Sequence, residues 1–242
     1  PPGAAQRPYL AHFDHQKNER KLLTFKDKHR GQRCVIIGNG PSLARTDLSL
    51  IRNTASFGLN KLYLHFPVMG WEPTYLVAIN PLVIEQSQAV YADLSIPLFL
   101  GHEALRFLKP WDSATFLMSW NPEPCFIGDV TKNIWQGHTV TFCAMQLAFF
   151  MGFSKAILVG VDHSFRFQGE PNQMQTMDHD DPNHFHPDYF KGMQWHTPDL
   201  ERSEMAYTLA RQAFEADGRC IVDATVDGCL DIFPKARLED LF

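Results

Sequence analysis

The chain has 242 residues, 45% of them hydrophobic and 20% charged, enough to bury the core of one large domain. A net charge of −5 without a basic stripe excludes binding nucleic acid by neutralising its phosphates. No apolar run is long enough for a transmembrane helix, and no signal-peptide pattern occurs.

The chain opens on Pro1-Pro2-Gly3 without methionine, as an excised piece would, so fusion to further domains or peripheral attachment is expected. The five cysteines are scattered, with no C-x-x-C, and read as reduced core residues of a cytoplasmic protein. Residues 1–30 read as an N-terminal helical arm and 31–242 as a single catalytic domain. Cys34 to Ile37 is a short apolar run that breaks into Gly38-Asn39-Gly40-Pro41-Ser42, the pattern of a buried strand feeding a tight turn. Glycine there lets a ligand approach bare amides, so the turn is a candidate phosphate cradle. It matches neither G-x-G-x-x-G nor the P-loop.

Further strands are predicted at 55–59, 75–79, 97–100, 115–118 (peripheral), 156–161 and 220–224. Helices are predicted at 141–151, closed by Gly152, and at 200–216, opened by Pro198-Asp199 and closed by Gly218. Residues 165–198 carry little periodicity and four histidines, His179, His184, His186 and His196. So long a stretch inside a compact domain reads as a lid or active-site loop. The alternation predicts an α/β, Rossmann-like, mostly parallel sheet with helices on both faces and that lid. Ligands then bind beyond the carboxyl ends of the strands. Three successive strands end in asparagine, at Asn39, Asn60 and Asn80. Each amide has donors and an acceptor, suited to sugar hydroxyls, a base edge or phosphate oxygens.

GNGPSL, the strand-ending Asn60, Asn80-Pro81 with Gln86, a Thr-led helix and Gly160-Val161-Asp162 are together similar to the bacterial sialyltransferases of glycosyltransferase family 42. They also resemble the related domain of the flagellin-modifying (motility accessory factor) glycosyltransferases. The same core, with GVDHSF and DDPNHFHPDYF, resembles the broad family labelled after the archaeal 6-hydroxymethylpterin diphosphokinase. The resemblance covers about residues 33 to 225. It implies nucleotide contacts at Asn39, Gly40, Asn60, Asn80, Gln86, Thr139, Thr141 and Gly160; Gly38, Ser42 and Asp162, in the same strand-end turns, join them as candidates. It also implies a histidine base before the final helix, where His196 stands, with His184 and His186 as rivals. The sialyltransferases steady the leaving phosphate with two tyrosines, but here Ser164 and Phe165 or Phe167 occupy those places. His163, Ser164, Arg166 and Tyr189 are the remaining candidates for that role.

The implied reaction is inverting transfer of a sialic acid-like or Kdo-like sugar from a CMP donor to a glycan or protein hydroxyl, in bacterial surface-glycan synthesis. It requires no cofactor, and oligomers are open. The alternatives are an ATP-dependent diphosphokinase and a non-catalytic nucleotide-sugar-binding module. The diphosphokinase would need Mg²⁺, with Asp180, Asp181 and Asp162 as ligands.

Overall fold

The computed structural model describes residues 7–242; residues 1–6, the tip of the expected arm, lie outside the described part. Helix α1, His15–Leu23, opens with Asp14 accepting from the Lys17 amide. It docks on the outermost strand of the sheet, where the Asn18 side chain bonds both the N–H and the C=O of Phe116.

Strands β1 (Arg33–Ile37), β2 (Ser56–Leu59) and β3 (Tyr75–Ala78) follow, with the short helix α2 (Phe66–Met69) between the last two. Helix α3, Pro81–Asp93, was not expected from periodicity. Its signal is at its start: the Asn80 side chain caps the Leu82 amide and Pro81 takes the first helical position. Its buried residues, Val83, Ile84, Ser87 and Tyr91, fall on one helical face. Next come β4 (Leu98–Gly101), β5 (Ala114–Leu117), α4 (Val140–Phe150) and β6 (Lys155–Val159). The chain closes with α5 (Leu200–Ala216) and β9 (Cys220–Asp223). Gly152 and Gly218 follow the two long helices with φ of 84° and 70°, the left-handed geometry that ends a helix.

The sheet has seven parallel strands in the order β5-β4-β3-β2-β1-β6-β9. Its central strands are buried on both faces, which is why they read as continuous apolar runs. Cys34, Ile36, Phe57 and Val77 pack under α4 and α5. Val35, Ile37, Ile157 and Val159 pack on the opposite face under Leu43 and Ile51. Leu76, Leu98 and Leu100 meet Ile84 and Tyr91 of α3 on that same face. Helices therefore cover both sides, as expected.

The chain starts at β1, steps outward to β5, then returns to lay β6 on the other side of β1. The strand order reverses between β1 and β6, and in open α/β sheets ligands bind at that point. The expected lid, 165–198, crosses this end of the sheet. It is ordered: β7 (Met174–Thr176) and β8 (Gln194–His196) form an antiparallel hairpin. Met177, Tyr189, Phe190 and Trp195 build a small core of their own on Val83. Sequence periodicity missed this because strands of three residues are too short to show alternation.

Candidate functional site

The turns after β1 and β6 are stitched together. Gly38 N–H donates to Val159 O (2.8 Å) and Gly40 N–H to Gly160 O (2.9 Å). A side chain on Gly38 would put its Cβ 2.2 Å from Gly160 O, and one on Gly40 would put it 1.9 Å from Asp162 Oδ2. Both glycines are thus required by packing between turns, whatever room they also leave for a ligand. Asp162 is committed to the same seam. Its carboxylate accepts from Ser42 N–H (2.9 Å) and Ser42 Oγ (2.6 Å).

A cavity of about 440 Å³ opens above these turns, in the range typical of small-molecule sites. Its floor comes from the ends of β1, β2, β3 and β6 and its roof from the lid. Of the predicted nucleotide-contact residues, Gly38, Asn39, Gly40, Asn60, Asn80, Thr139, Thr141, Gly160 and Asp162 line it. The three asparagines divide there. Asn80 Oδ1 is taken by the Leu82 amide, so that residue serves first as a helix cap. Asn39 Nδ2 donates to Leu59 O (3.0 Å), tying the β1 turn to the end of β2. Asn39 Oδ1 and Asn60 Oδ1 are buried and have no partner among the described residues. A buried amide oxygen left unpaired costs about 1–3 kcal/mol, and both residues contribute to the wall of the cavity. Asn60 has φ of 47°, which asparagine tolerates better than most residues.

Two predicted contacts fall elsewhere. Ser42 is fully buried beneath the turn, bonded to Asp162. Gln86 belongs to a strap between body and lid: its Oε1 accepts from Lys61 Nζ (2.8 Å) and its Nε2 donates to Gln194 O (2.7 Å). Lys61, unremarked in the sequence, is 2% exposed, donates to Tyr189 O (2.8 Å) and lies over the Phe190 ring at 4.6 Å. Burial pulls its ammonium down to about 8, against the opposing pull of Asp181.

The histidines separate as well. His184 lines the cavity, and its Nδ1 lies 2.8 Å from Asp181 Oδ2. The carboxylate only accepts, so the shared hydrogen sits on Nδ1 and the neutral ring keeps its lone pair on Nε2. Asp181 is held in turn by the Asn183 amide (2.9 Å), and the imidazole stacks on Tyr189 at 3.9 Å and 2°. Next along the chain, Phe185 N–H donates to Asn39 O (2.9 Å) and pins this part of the lid to the glycine turn. His196, on β8, reaches the rim of the cavity as an exposed residue. His186 does not line the cavity. It lies by His65 and accepts from the Asp188 amide, a correction forced by the turn Pro187 imposes.

Among the leaving-group candidates, His163 and Ser164 line the cavity, and His163 Nε2 is 2.9 Å from Glu204 Oε1. Arg166 and Tyr189 do not line it. Arg166 pairs its backbone with the Asn183 side chain, and Tyr189 is 1% exposed beneath His184. Asp180 is an exposed partner of Lys191. Among the described residues no three His, Cys, Asp or Glu side chains gather to hold a metal ion. Asp180, Asp181 and Asp162, the ligands expected for Mg²⁺, are each bonded elsewhere and do not converge, so they do not fit that ion.

Among the described residues no lysine or arginine lines the cavity, yet three helices begin at it. Asn80, Thr139 and Asp199, the N-caps of α3, α4 and α5, are all in its wall. Sequence reading also passed over Gln136 and His138, loop residues without a motif that fold into this wall.

A parallel α/β sheet with a lidded polar cavity at its switch point defines a Rossmann-like domain with a candidate ligand site. The family described as 6-hydroxymethylpterin diphosphokinase MptE-like matches residues 9–167, and the chain belongs to it. No curated protein matches the chain in sequence. Among solved structures, the MAf glycosyltransferase from Magnetospirillum magneticum AMB-1 is similar in fold, with a TM-score of 0.58 at 13% identity. The likeness covers 94% of this chain and 39% of that one, so the chain spans about two fifths of that protein's length. No helix among the described residues is long and apolar enough to cross a membrane.

Proposed function

We propose that the chain is the nucleotide-sugar-binding catalytic domain of an inverting glycosyltransferase. It takes an acidic sugar from a CMP-activated donor and passes it to a glycan or protein hydroxyl. The observation that carries this is a cavity where three helices begin and whose wall includes Asn39 and Asn60, each with a buried amide oxygen that no described residue satisfies. The acceptors call for a ligand with N–H or O–H donors, such as a base amino group or sugar hydroxyls. The N-termini of α3 and α4 favour an anion, each by about 0.3–1 kcal/mol and more where partly buried, while that of α5 already holds the Asp199 carboxylate. A nucleoside phosphate has both features on one molecule.

His184 is the base we assign. Its Nε2 takes the proton of the acceptor hydroxyl as that oxygen attacks the anomeric carbon. The bond to the phosphate oxygen breaks and CMP departs with the bonding pair, towards the start of α4 and His163. Asp181 fixes the tautomer and stabilises the imidazolium that forms. His196, at the rim, is the rival for the same step.

The family description favours a second reading, transfer of a diphosphate from ATP to a pterin-like alcohol. The dispersed carboxylates weigh against it. Calorimetry with CMP, CDP, UMP and ATP separates the two. Binding of cytidine nucleotides without metal is the expected result, and its absence would sink the first reading. An absolute Mg²⁺ requirement with AMP release would establish the second.

A further inference from the structure

A second cavity, of about 550 Å³, adjoins the first and shares Gln136 and His138 with it. The two differ sharply in charge. Among the described residues the first has no lysine or arginine in its wall, whereas Arg7, Arg106 and Arg202 line the second. Its one lining carboxylate, Glu103, is spent on Arg106 at 3.0 Å. In a chain of net charge −5, this is a local concentration of positive charge with a purpose to find.

Aromatic rings hold the guanidinium groups in place. Arg7 lies over Trp120 at 4.6 Å and Arg106 over Tyr9 at 4.9 Å. Stacked on Trp120, Arg7 keeps a buried Nη1 with no partner among the described residues, ready for a carboxylate or phosphate, while Arg106 shares its fork with Glu103 and Arg202 lies 3.8 Å from Asp199. The wall behind them is braced. His102 Nδ1 bonds Ser119 Oγ (3.2 Å), and Gln136 Nε2 donates to the same hydroxyl (2.9 Å). Burial, then Arg7 and Arg106, hold His102 down to about 4, so near neutrality the positive charge there belongs to the arginines. Trp120 is partly exposed in this wall beside Arg7, an aromatic surface of the kind on which the C–H face of a pyranose packs, while Trp135 is buried behind it.

We infer that this second cavity binds a sugar carrying a carboxylate or phosphate, and that it seats the acceptor while the first cavity holds the donor. The acceptor role rests on the glycosyltransferase reading; anionic-sugar binding does not. Gln136 and His138 form the shared wall, the path along which an acceptor hydroxyl reaches the lid histidine.

The test is tryptophan fluorescence titration of the whole chain with methyl glucuronide, glucose 6-phosphate and neutral methyl glucoside, each with and without saturating CMP. The expected result is that one or both anionic sugars bind at least tenfold tighter than methyl glucoside, with no competition from CMP. The tighter of the two identifies which anion the site is built for. Arg106→Ala, which removes a half-exposed side chain, lowers that affinity about tenfold at unchanged circular dichroism; Trp120→Ala does the same through the indole surface. Equal affinity for charged and neutral sugars would overturn the inference, as would an Arg106→Ala variant that binds like the wild type. Competition by CMP would overturn the acceptor assignment. Anionic-sugar binding in a chain that binds no nucleotide would keep the site and remove the transferase reading.

Discussion

Replacing Gly40 by alanine separates a packing role for the glycine turn from a ligand-access role. The backbone at Gly40 has φ −68° and ψ 162°, which alanine adopts freely. On backbone grounds alone the substitution would stabilise the chain by about 0.4–1 kcal/mol through the unfolded state. The new Cβ, however, falls 1.9 Å from Asp162 Oδ2 and 2.5 Å from its carboxyl carbon. Asp162 must swing away, giving up its bonds to Ser42 N–H and Oγ. Hydrogen bonds to a charged group contribute about 1.5–3 kcal/mol each, so the loss is about 3–6 kcal/mol and the net destabilisation about 2–5 kcal/mol. Urea unfolding followed by circular dichroism measures it. In an Asp162→Ala background most of the penalty of Gly40→Ala disappears, because the displaced carboxylate is already gone. A Gly40→Ala variant as stable as the wild type but unable to bind nucleotide would refute the packing argument. It would return the glycine to a ligand role.

Asn60→Gly keeps the left-handed backbone and deletes one of the two unfilled acceptors. Nucleotide affinity by calorimetry is expected to fall about tenfold, with stability unchanged or slightly raised. If His184 is the base, His184→Ala and Asp181→Asn each lower kcat by about 10² or more in a donor-turnover assay. His186→Ala, which alters a residue outside the cavity, stays within about twofold of the wild type. His102 gives a pH signature. Its imidazole titrates at about 4 in the fold and near 6.5 when unfolded, so the unfolded state binds more protons between those values. Stability is therefore lost as pH falls from about 6.5 to 4, by about 3 kcal/mol from this 4%-exposed group. The urea midpoint falls less between pH 7 and 4.5 in His102→Gln than in the wild type.

Most of the frame was legible in the sequence because parallel strands buried on both faces read as unbroken apolar runs. Cys34 to Ile37 and Ala156 to Val159 are such runs. Helix α5 was legible from both ends, since Asp199 and Gly218 carry the cap chemistry in their side chains and backbone preferences. The gathering of Asn39, Asn60 and the lid at one end of the sheet also followed, because ligands meet parallel sheets at their carboxyl ends. What local pattern could not reveal was how each polar group spends its bonds. Asn39, Asn60 and Asn80 are alike as strand-ending residues. Only tertiary packing left two amide oxygens open and gave the third to a helix amide. The glycines of the turn looked like room for a phosphate, and the neighbouring turn, more than a hundred residues away in sequence, decided that they make room for Gly160 and Asp162. The lid histidines differ for the same reason. A hydrogen bond to Asp181 and a stack on Tyr189 prepare His184 for proton transfer, and neither partner can be chosen from spacing when four histidines share one loop.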